Sequence, residues 1–251
     1  MTYTFDVNHI ILHGAELDPA GEARVVGRRA AHLLTVLKVT PGQPVRVGLL
    51  DGPLGTGRVT SADDGAVTLR CEFEEAAPPR PRVDLLLALP RPKVMRRLWA
   101  QLAALGVGQI VLTNAARVER NYFDTHVLKD ACYRPLLIEA LKQARDTRLP
   151  AVSIHRQFKV LVEDHLDDLC GHGLRLAADP RAKPGLADGA RRHDGRRVLL
   201  AVGPEGGWNE FELGLLQDHG FTPAALGPRP LRVDTACIAL LAIVHDAIRD
   251  R

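Results

Sequence analysis

The sequence predicts an α/β protein of two units, a small β-rich one followed by a larger one with a parallel sheet. Three observations predict this. The chain has 251 residues, too many for one small domain. Residues 8–75 alternate apolar and polar side chains with a period of mostly two, and after residue 82 short apolar runs alternate with stretches of helical spacing. Hydrophobic residues at 46% and charged residues at 25% exclude a disordered or collagen-like chain.

The first unit is predicted to be a small β-barrel or sandwich. Val67–Phe73 alternates apolar and polar side chains, which is typical of a half-buried strand. Two more strands are predicted at Val45–Leu50 and Gly57–Ser61, and a turn is predicted at Asp63–Gly65. A single helix, Arg28–Val39, interrupts the strands.

A linker is predicted between the two units. Residues 76–82, AAPPRPR, contain three prolines and no hydrophobic period. We therefore expect one domain over residues 1–77 and a second over residues 78–251.

The second unit is predicted to alternate strands and helices, as parallel α/β domains do. Val83–Leu89 is a continuous apolar run of the kind found in buried parallel strands, and Lys93–Leu105 repeats apolar residues at helical spacing. The further predicted strands are Gln109–Leu112, Ala151–Ile154, Leu174–Ala178, Val198–Val202 and Pro223–Leu226. The further predicted helices are Leu128–Arg145, Lys159–Leu169, Asn209–His219 and Thr235–Arg249.

Basic residues are concentrated in the middle of the chain. The formal net charge is only +3, yet residues 81–160 carry 14 basic and 6 acidic residues, and both flanking stretches are mildly acidic. Clustered Lys and Arg bind phosphates with release of counterions, so the pattern favours a polyanion as partner. An arginine-rich composition on a solvated face explains the charge equally well.

Cysteines and apolar runs indicate the compartment. The four cysteines are far apart and form no C-x-x-C pair, so neither a zinc site nor a redox motif is indicated. The N-terminus lacks a signal pattern, and no apolar run approaches the roughly 20 residues of a spanning helix. We expect a cytoplasmic protein with buried, reduced cysteines, no metal and no membrane association.

Two glycine-rich loops follow predicted strands. Gly203–Gly207 follows Val198–Val202, and Leu226–Thr235 follows the next strand and precedes the last helix, with Asp234 or Thr235 as its expected N-cap. Ligands of open α/β sheets bind beyond the carboxyl ends of strands, where glycine lets the backbone approach closely. A tight turn with Asn209 as helix N-cap explains the first loop equally well.

A third segment, residues 139–150 (EALKQARDTRLP), ends a predicted helix in polar groups that we expect to point toward the same region. By itself, a charged helix end of this kind is ordinary surface.

Five segments, taken in order, resemble the successive motifs of the RsmE-type 16S rRNA uridine methyltransferases, which belong to the SPOUT class and use S-adenosylmethionine. The segments are PRPKVMRRLWAQLAALGV, RVERNYF, EALKQARDTRLP, VGPEGGWNEFE and LGPRPLRVDTACIALLAIV. The resemblance covers most of Val83–Val244, and the start containing HLLTVLKVTPGQPVRV is similar to the family's N-terminal PUA-like domain. The GPEGG and LGPRxLR pair is its most specific part.

The resemblance implies a SPOUT-type α/β domain with a C-terminal trefoil knot, preceded by a small PUA-like β-barrel. It also implies a homodimer, with S-adenosylmethionine held at the knot. The cofactor-binding residues implied in this way are Val202, Gly203, Gly206, Gly207, Leu226, Gly227, Leu231, Arg232, Val233, Thr235 and Ala236, with Leu176 and Ala178 as further candidates at the preceding strand end.

Methyl transfer to N3 of uridine, the implied reaction, requires loss of the imide proton. We expect Arg232 to stabilise the uridine anion and Asp234 or Glu205 to assist proton removal. Each residue also has a structural interpretation: Arg232 as an ion-pair partner, Asp234 as an N-cap and Glu205 as a first-turn helix charge.

The implied partner is the 16S rRNA of the small ribosomal subunit. Tyr122 and Phe123 are candidates to stack on an unpaired base, or are core or dimer contacts. The residues expected to contact RNA are Arg91, Lys93, Arg96, Arg97, Arg117, Arg120, Gln143, Arg145 and Arg148.

The sequence departs from the family at two places. The usual E-L-G is Ala104-Leu105-Gly106 here, and the usual R-T-E-T is Arg232-Val233-Asp234-Thr235. The missing glutamate leaves open a non-catalytic RNA-binding or ribosome-assembly protein of the same fold. A SPOUT methyltransferase acting on tRNA or 23S rRNA is a third interpretation.

Overall fold

The computed structural model describes residues 9–63 and 65–249, which form two compact units. The first unit comprises the chain up to Arg80 together with Ile138–Leu149. The second comprises Pro81–Leu137 and the chain from Pro150 onward. The division at Arg80 lies inside the predicted linker, but the prediction placed residues 138–149 in the second unit.

Hydrogen bonds explain why residues 138–149 belong to the first unit. The Thr147 hydroxyl donates to the Gly52 carbonyl at 2.6 Å, and the Asp51 amide donates to the Thr147 carbonyl at 2.8 Å. Arg148 Nε donates to the Pro78 carbonyl at 2.5 Å. Thr147 is fully buried, so its polar atoms need these partners.

The first unit contains a five-stranded, mostly antiparallel sheet. Its strands are β1 (His9–Leu12), β2 (Glu22–Val26), β3 (Pro44–Leu49), β4 (Leu54–Asp63) and β5 (Ala66–Phe73). The strand order is β1-β3-β4-β5-β2, and only the β1–β3 pair is parallel. Helix α1 (Gly27–Ala31) continues as a π-helical turn, His32–Val36.

The alternation along β5 produces the core of this unit. Val67 and Leu69 are fully buried and belong to one apolar cluster with Ala30 and Leu33, whereas Arg70 is exposed. Strands β3, β4 and β5 confirm the three predicted strands, and α1 with its π-helical turn confirms the predicted helix. Strands β1 and β2 were not predicted. Asn8, in the predicted β-rich region, and Asp64, in the predicted turn Asp63–Gly65, lie outside the described residues.

The second unit contains a six-stranded parallel sheet, which confirms the predicted parallel α/β class of this unit. Its strands are β6 (Val83–Ala88), β7 (Val107–Thr113), β8 (Ala151–His155), β9 (Leu174–Ala178), β10 (Val198–Val202) and β11 (Phe221–Ala224). The order is β11-β9-β10-β6-β7-β8. This order brings the ends of β9, β10 and β11 together, although long stretches of chain separate them.

Helices connect these strands. They are α2 (Pro92–Ala104), α3 (Asp130–Ala144), α4 (Phe158–Val160), α5 (Leu166–Cys170), α6 (Leu186–Ala190), α7 (Glu210–Asp218) and α8 (Val233–Ala247). A π-helical turn, Leu161–His165, joins α4 to α5, and the boundary between the units passes through α3. All predicted helices are confirmed within a few residues, and α6 was not predicted.

Strand β6 carries a buried charge. All six of its residues are buried, including Asp84 at 1% exposure. Arg197 Nε donates to Asp84 Oδ2 at 2.9 Å and Arg197 Nη2 donates to Asp84 Oδ1 at 2.5 Å, which compensates the carboxylate for its lost hydration. Because Arg197 immediately precedes β10, the pair also links the two central strands.

The cysteines are all free thiols, but not all are buried. Cys170 and Cys237 are buried, Cys71 is half-buried, and Cys132 is exposed, so the expectation of buried cysteines was wrong for Cys132. Over residues 9–63 and 65–249, no helix has the length and apolar character needed to cross a membrane.

Candidate functional site

A cleft opens at the carboxyl ends of β9, β10 and β11. Three loops line it, at residues 178–180, 202–207 and 224–231, together with the first turns of α8. Its walls are mostly small or apolar, as is usual for small-molecule sites. The apolar side chains are Ala178, Val202, Ala224, Leu226, Leu231, Val233, Ala236 and Leu240.

Glycines form part of the cleft wall. Gly203, Gly207 and Gly227 all line it. Gly207 has φ +73°, a left-handed conformation that favours glycine, and a Cβ built there would meet no atom within 4 Å. At Gly203 a Cβ would lie 3.1 Å from the Trp208 amide nitrogen, a close contact that a side chain at this position would have to relieve.

Two carboxylates lie at the cleft, Asp179 and Glu205. Asp179 is 7% exposed and accepts hydrogen bonds from the Arg181 amide at 3.0 Å, Nε at 3.0 Å and Nη2 at 3.1 Å. Burial acts to raise the pKa of Asp179, but the hydrogen bonds from Arg181 outweigh it and hold that pKa below its ordinary value. Asp179 is therefore an anion at neutral pH, whereas Glu205 is exposed.

A capping box fixes the start of α7 after the first loop. The Glu212 amide donates to Asn209 Oδ1 at 2.7 Å, and the Asn209 amide donates to Glu212 Oε2 at 2.9 Å. The Ala116 amide donates to the other oxygen of Glu212 at 2.6 Å. Asn209 is thus the N-cap, and the buried Glu212 ties α7 to the loop that follows β7.

Gly206 lies against Arg117. Arg117 Nη1 donates to the Gly206 carbonyl, and a Cβ at Gly206 would lie 2.6 Å from Arg117 Cδ. Gly206 is absent from the cleft wall.

The first turn of α8 differs from the predicted one. Arg232 occupies the N-cap position without a side-chain cap, so the expectation that Asp234 or Thr235 is the N-cap was wrong. Asp234 instead accepts a hydrogen bond from Arg97 Nη2 at 2.7 Å and another from the Thr235 amide at 3.0 Å. The hydrogen bond from Arg97 is the main cause of a lowered pKa of Asp234.

The cleft brings together most of the residues implied as cofactor-binding. Those that line it are Ala178, Val202, Gly203, Gly207, Leu226, Gly227, Leu231, Val233 and Ala236, along with Glu205. Those that do not line it are Leu176, Gly206, Arg232 and Thr235, and the catalytic candidate Asp234 does not line it either. Leu176 is fully buried inside β9, and the Arg232 side chain is 77% exposed with Nε 3.9 Å from Asp234 Oδ1.

The expected RNA-contacting residues fall in both units. In the second unit, Arg91, Lys93 and Arg96 are exposed at the start of α2, and Arg120 is exposed after β7. The guanidinium groups of Arg97 and Arg117 already contact Asp234 and Gly206.

The remaining three, Gln143, Arg145 and Arg148, lie in the first unit, and none lines the cleft. Arg148 donates to the backbone carbonyls of Pro78 and Asp51, so its guanidinium supports the fold of that unit. Gln143 lines a pocket of the first unit together with the acidic Glu139, and the basic residues around that pocket are His9, Arg28, Arg29, His32 and Lys142.

The two aromatic candidates for base stacking have different surroundings. Phe123 is 7% exposed, and the Arg156 guanidinium lies 5.5 Å from its ring centroid. Tyr122 is half-buried, and its hydroxyl donates to Glu119 Oε1 at 2.8 Å. Of the two interpretations of Phe123, its burial therefore favours the core contact over the ring that stacks on a base.

Comparison with known proteins places this chain in a family. A family model described as RNA methyltransferase domain matches residues 77–245. A ribosomal RNA small subunit methyltransferase E from Treponema pallidum is 30% identical over 222 residues, which cover 86% of this chain and 82% of that protein. The chain belongs to the ribosomal RNA small subunit methyltransferase E family.

Further members of the methyltransferase E family agree in length and fold. The protein of that name from Mycobacterium bovis is 29% identical, with 90% of this chain and 87% of that protein covered. The crystal structure of the Neisseria gonorrhoeae methyltransferase E bound to S-adenosyl methionine superposes with a TM-score of 0.75 at 21% identity, covering 95% of this chain and 97% of that one.

Sequence reasoning missed several cleft residues of this methyltransferase E family member. Asp179, Pro180, Pro204, Arg229, Pro230 and Leu240 line the cleft without having been predicted. Asp179 and Pro180 directly follow β9, so the rule applied to the other two loops would have found them. Over residues 9–63 and 65–249, no group of three His, Cys, Asp or Glu side chains is arranged to hold a metal ion.

Proposed function

We propose that this protein is an S-adenosylmethionine-dependent methyltransferase that methylates N3 of one uridine in the 16S rRNA of the small ribosomal subunit. It would act in the cytoplasm as a homodimer. The observation that carries the proposal is the apolar cleft at the ends of β9, β10 and β11, formed by the two glycine-rich loops of a methyltransferase E family member.

The cleft has a lining suited to S-adenosylmethionine. Small apolar side chains such as Ala178, Val202 and Ala236 suit a flat adenine ring, and the glycines let backbone amides and carbonyls reach polar atoms. The carboxylates of Asp179 and Glu205 complement a positively charged ligand. When bound, this cofactor supplies an electrophilic methyl group.

Proton removal from the uridine imide is assigned to Glu205 rather than Asp234. Arg97 stabilises the Asp234 carboxylate and lowers its pKa, which weakens it as a base. Glu205 lines the cleft itself. Arg232, exposed beside Leu231 at the start of α8, remains our candidate for stabilising the uridine anion.

The exposed basic side chains are proposed to position the rRNA. Arg91, Lys93 and Arg96 project at the start of α2, where phosphate contacts orient a substrate without reading its sequence. We further propose that the first unit is a PUA-like RNA-binding domain, with Gln143 in its basic pocket, and that the second is a SPOUT domain with a C-terminal trefoil knot.

Two measurements test the proposed function. Calorimetric titration should give saturable binding of S-adenosylmethionine. Small subunits from a strain lacking this gene should gain one methyl group on a 16S rRNA uridine when incubated with protein and cofactor, as detected by mass mapping. Glu205→Gln should slow transfer even at saturating cofactor, whereas Asp234→Asn should slow it less.

The alternatives predict different results. A non-catalytic RNA-binding protein would bind small subunits without transferring a methyl group. An enzyme for tRNA or 23S rRNA would leave 16S rRNA unchanged and methylate one of those RNAs instead. Absence of cofactor binding at millimolar concentration would refute the enzyme altogether.

A further inference from the structure

We propose that Phe211 is a stacking platform for an unpaired base of the RNA substrate, beside the cleft. This inference rests on the proposed function, because the base belongs to the RNA that is to be methylated. It adds a substrate-binding subsite that neither the glycine-rich loops nor the basic residues of α2 supply.

The subsite is a second depression that adjoins the cleft. Both are lined by Ala178, Asp179, Pro180 and Gly207, so a nucleotide in one lies next to a ligand in the other. Phe211 also lines this depression.

Phe211 is an exposed aromatic ring held on a fixed support. Its exposed fraction is 61%, unusual for a ring whose burial would remove so much apolar surface from water. It lies in the first turn of α7, which the Asn209–Glu212 capping box anchors on both sides of it. Trp208, three residues earlier, is 3% exposed and packs on Phe158 with ring centroids 5.4 Å apart.

The depression carries charges of both signs. Arg117 and Arg181 line it together with the carboxylates of Asp179 and Glu210, and the side chain of Arg181 is 60% exposed although it donates to Asp179. Cationic side chains around an aromatic ring form the usual combination in which phosphates meet the cations and a base stacks on the ring. Arg117 donates to the Gly206 carbonyl and Arg181 to Asp179, and each guanidinium has further N–H groups that can donate to a phosphate.

The experiment separates aromatic stacking from simple apolar contact. Phe211→Leu keeps an apolar side chain but removes the ring, and Phe211→Trp keeps a ring. Since Phe211 is mostly exposed, neither variant should disturb folding. We expect Phe211→Leu to weaken binding of a 16S rRNA fragment about tenfold, the order of one lost base stack. Phe211→Trp should restore binding.

Three readouts make the outcome decisive: RNA affinity by fluorescence anisotropy, cofactor affinity by calorimetry, and KM against kcat for small subunits. The proposal requires that the Phe211→Leu variant bind RNA more weakly and have a higher KM for small subunits, while its cofactor affinity stays unchanged. Equal RNA affinity of the Leu variant and the wild type would overturn it. A change of oligomeric state without a change in RNA affinity would instead make Phe211 a contact between two copies of the chain, and would also overturn it.

The RNA-affinity measurement does not depend on catalysis. If the wild-type protein transfers no methyl group, the proposed function fails, while the Leu and Trp comparison still decides whether Phe211 binds a base.

Discussion

Gly206 and Gly207 are neighbours in the chain with different surroundings. Gly206 is exposed, contacts the side chain of Arg117 and does not line the cleft. Gly207 lines the cleft in a left-handed conformation, and nothing lies within 4 Å of where its Cβ would be. The GPEGG motif alone assigns both glycines to cofactor binding. Only the structure shows that Gly207 lines the cleft and that Gly206 does not.

We predict that Gly207→Ala weakens S-adenosylmethionine binding about tenfold, because an L-residue in the left-handed region costs about 1–2 kcal/mol and the loop shifts to relieve it. Gly206→Ala is the matched control. It displaces only the flexible side chain of Arg117, so cofactor affinity should stay within about threefold. Calorimetry on both variants checks this, and an equal loss in both would contradict the different roles.

Asp234 has an ion-pair partner that is distant in the sequence. Its neighbours in the sequence identify a helix start, which is correct within two residues. Its partner Arg97 lies 137 positions earlier, and this pairing makes Asp234 a weaker candidate for proton removal. Spacing within one motif carries no information about such a partner.

Helix α7 depends on its first turn. Asn209 accepts the Glu212 amide, and the Glu212 carboxylate also accepts the Ala116 amide. These bonds satisfy helix amides that otherwise lack partners, and they join α7 to the loop after β7. Both the cleft loop and the ring of Phe211 therefore depend on this cap.

We predict that Asn209→Ala lowers the free energy of unfolding by about 1 kcal/mol, the usual effect of losing an N-cap. Asn209→Ser keeps a capping oxygen and should restore most of the loss. Urea unfolding gives the stability, and S-adenosylmethionine titration of the same variants should show weaker binding only for the alanine. Unchanged stability of Asn209→Ala would mean that Glu212 holds the helix start by itself.

The prediction of helices and strands was incomplete or shifted where the local sequence pattern is weak. Helix α6 has only five residues, one of them glycine, so it shows no helical period. Strand β11 begins at Phe221, two residues before the predicted start at Pro223. It is an edge strand, where a proline without an amide hydrogen is tolerated, so this proline does not mark the strand boundary.

Three histidines couple the stability of the molecule to pH. Burial is the first cause of a lowered pKa for His9 in the first unit and for His155 and His245 in the second. Well above the ordinary histidine pKa of 6.5, these rings are uncharged in both the folded and the unfolded chain. Below it, the unfolded chain binds protons that the folded chain does not, so the free energy of unfolding falls.

We therefore predict that the melting temperature is nearly constant between about pH 7 and 8 and decreases as the pH falls from about 6.5 toward 5. Asp179 and Asp234 have lowered pKa values, so their protonation acts only at lower pH. Scanning calorimetry at several pH values tests this, and His245→Gln should flatten the decrease. A melting temperature that does not change between pH 7.5 and 5.5 would contradict it.

The sequence by itself determined the parallel α/β class, most helices and strands, the family and the two glycine-rich loops at strand ends. These depend on periodicity and on short motifs, which are local properties. Only the tertiary structure decided which loop residues face the cleft, and that residues 138–149 belong to the first unit. Arg117 contacts Gly206 across 89 positions and Thr147 contacts Gly52 across 95, because strand order and packing bring distant segments together, and no local pattern specifies that order.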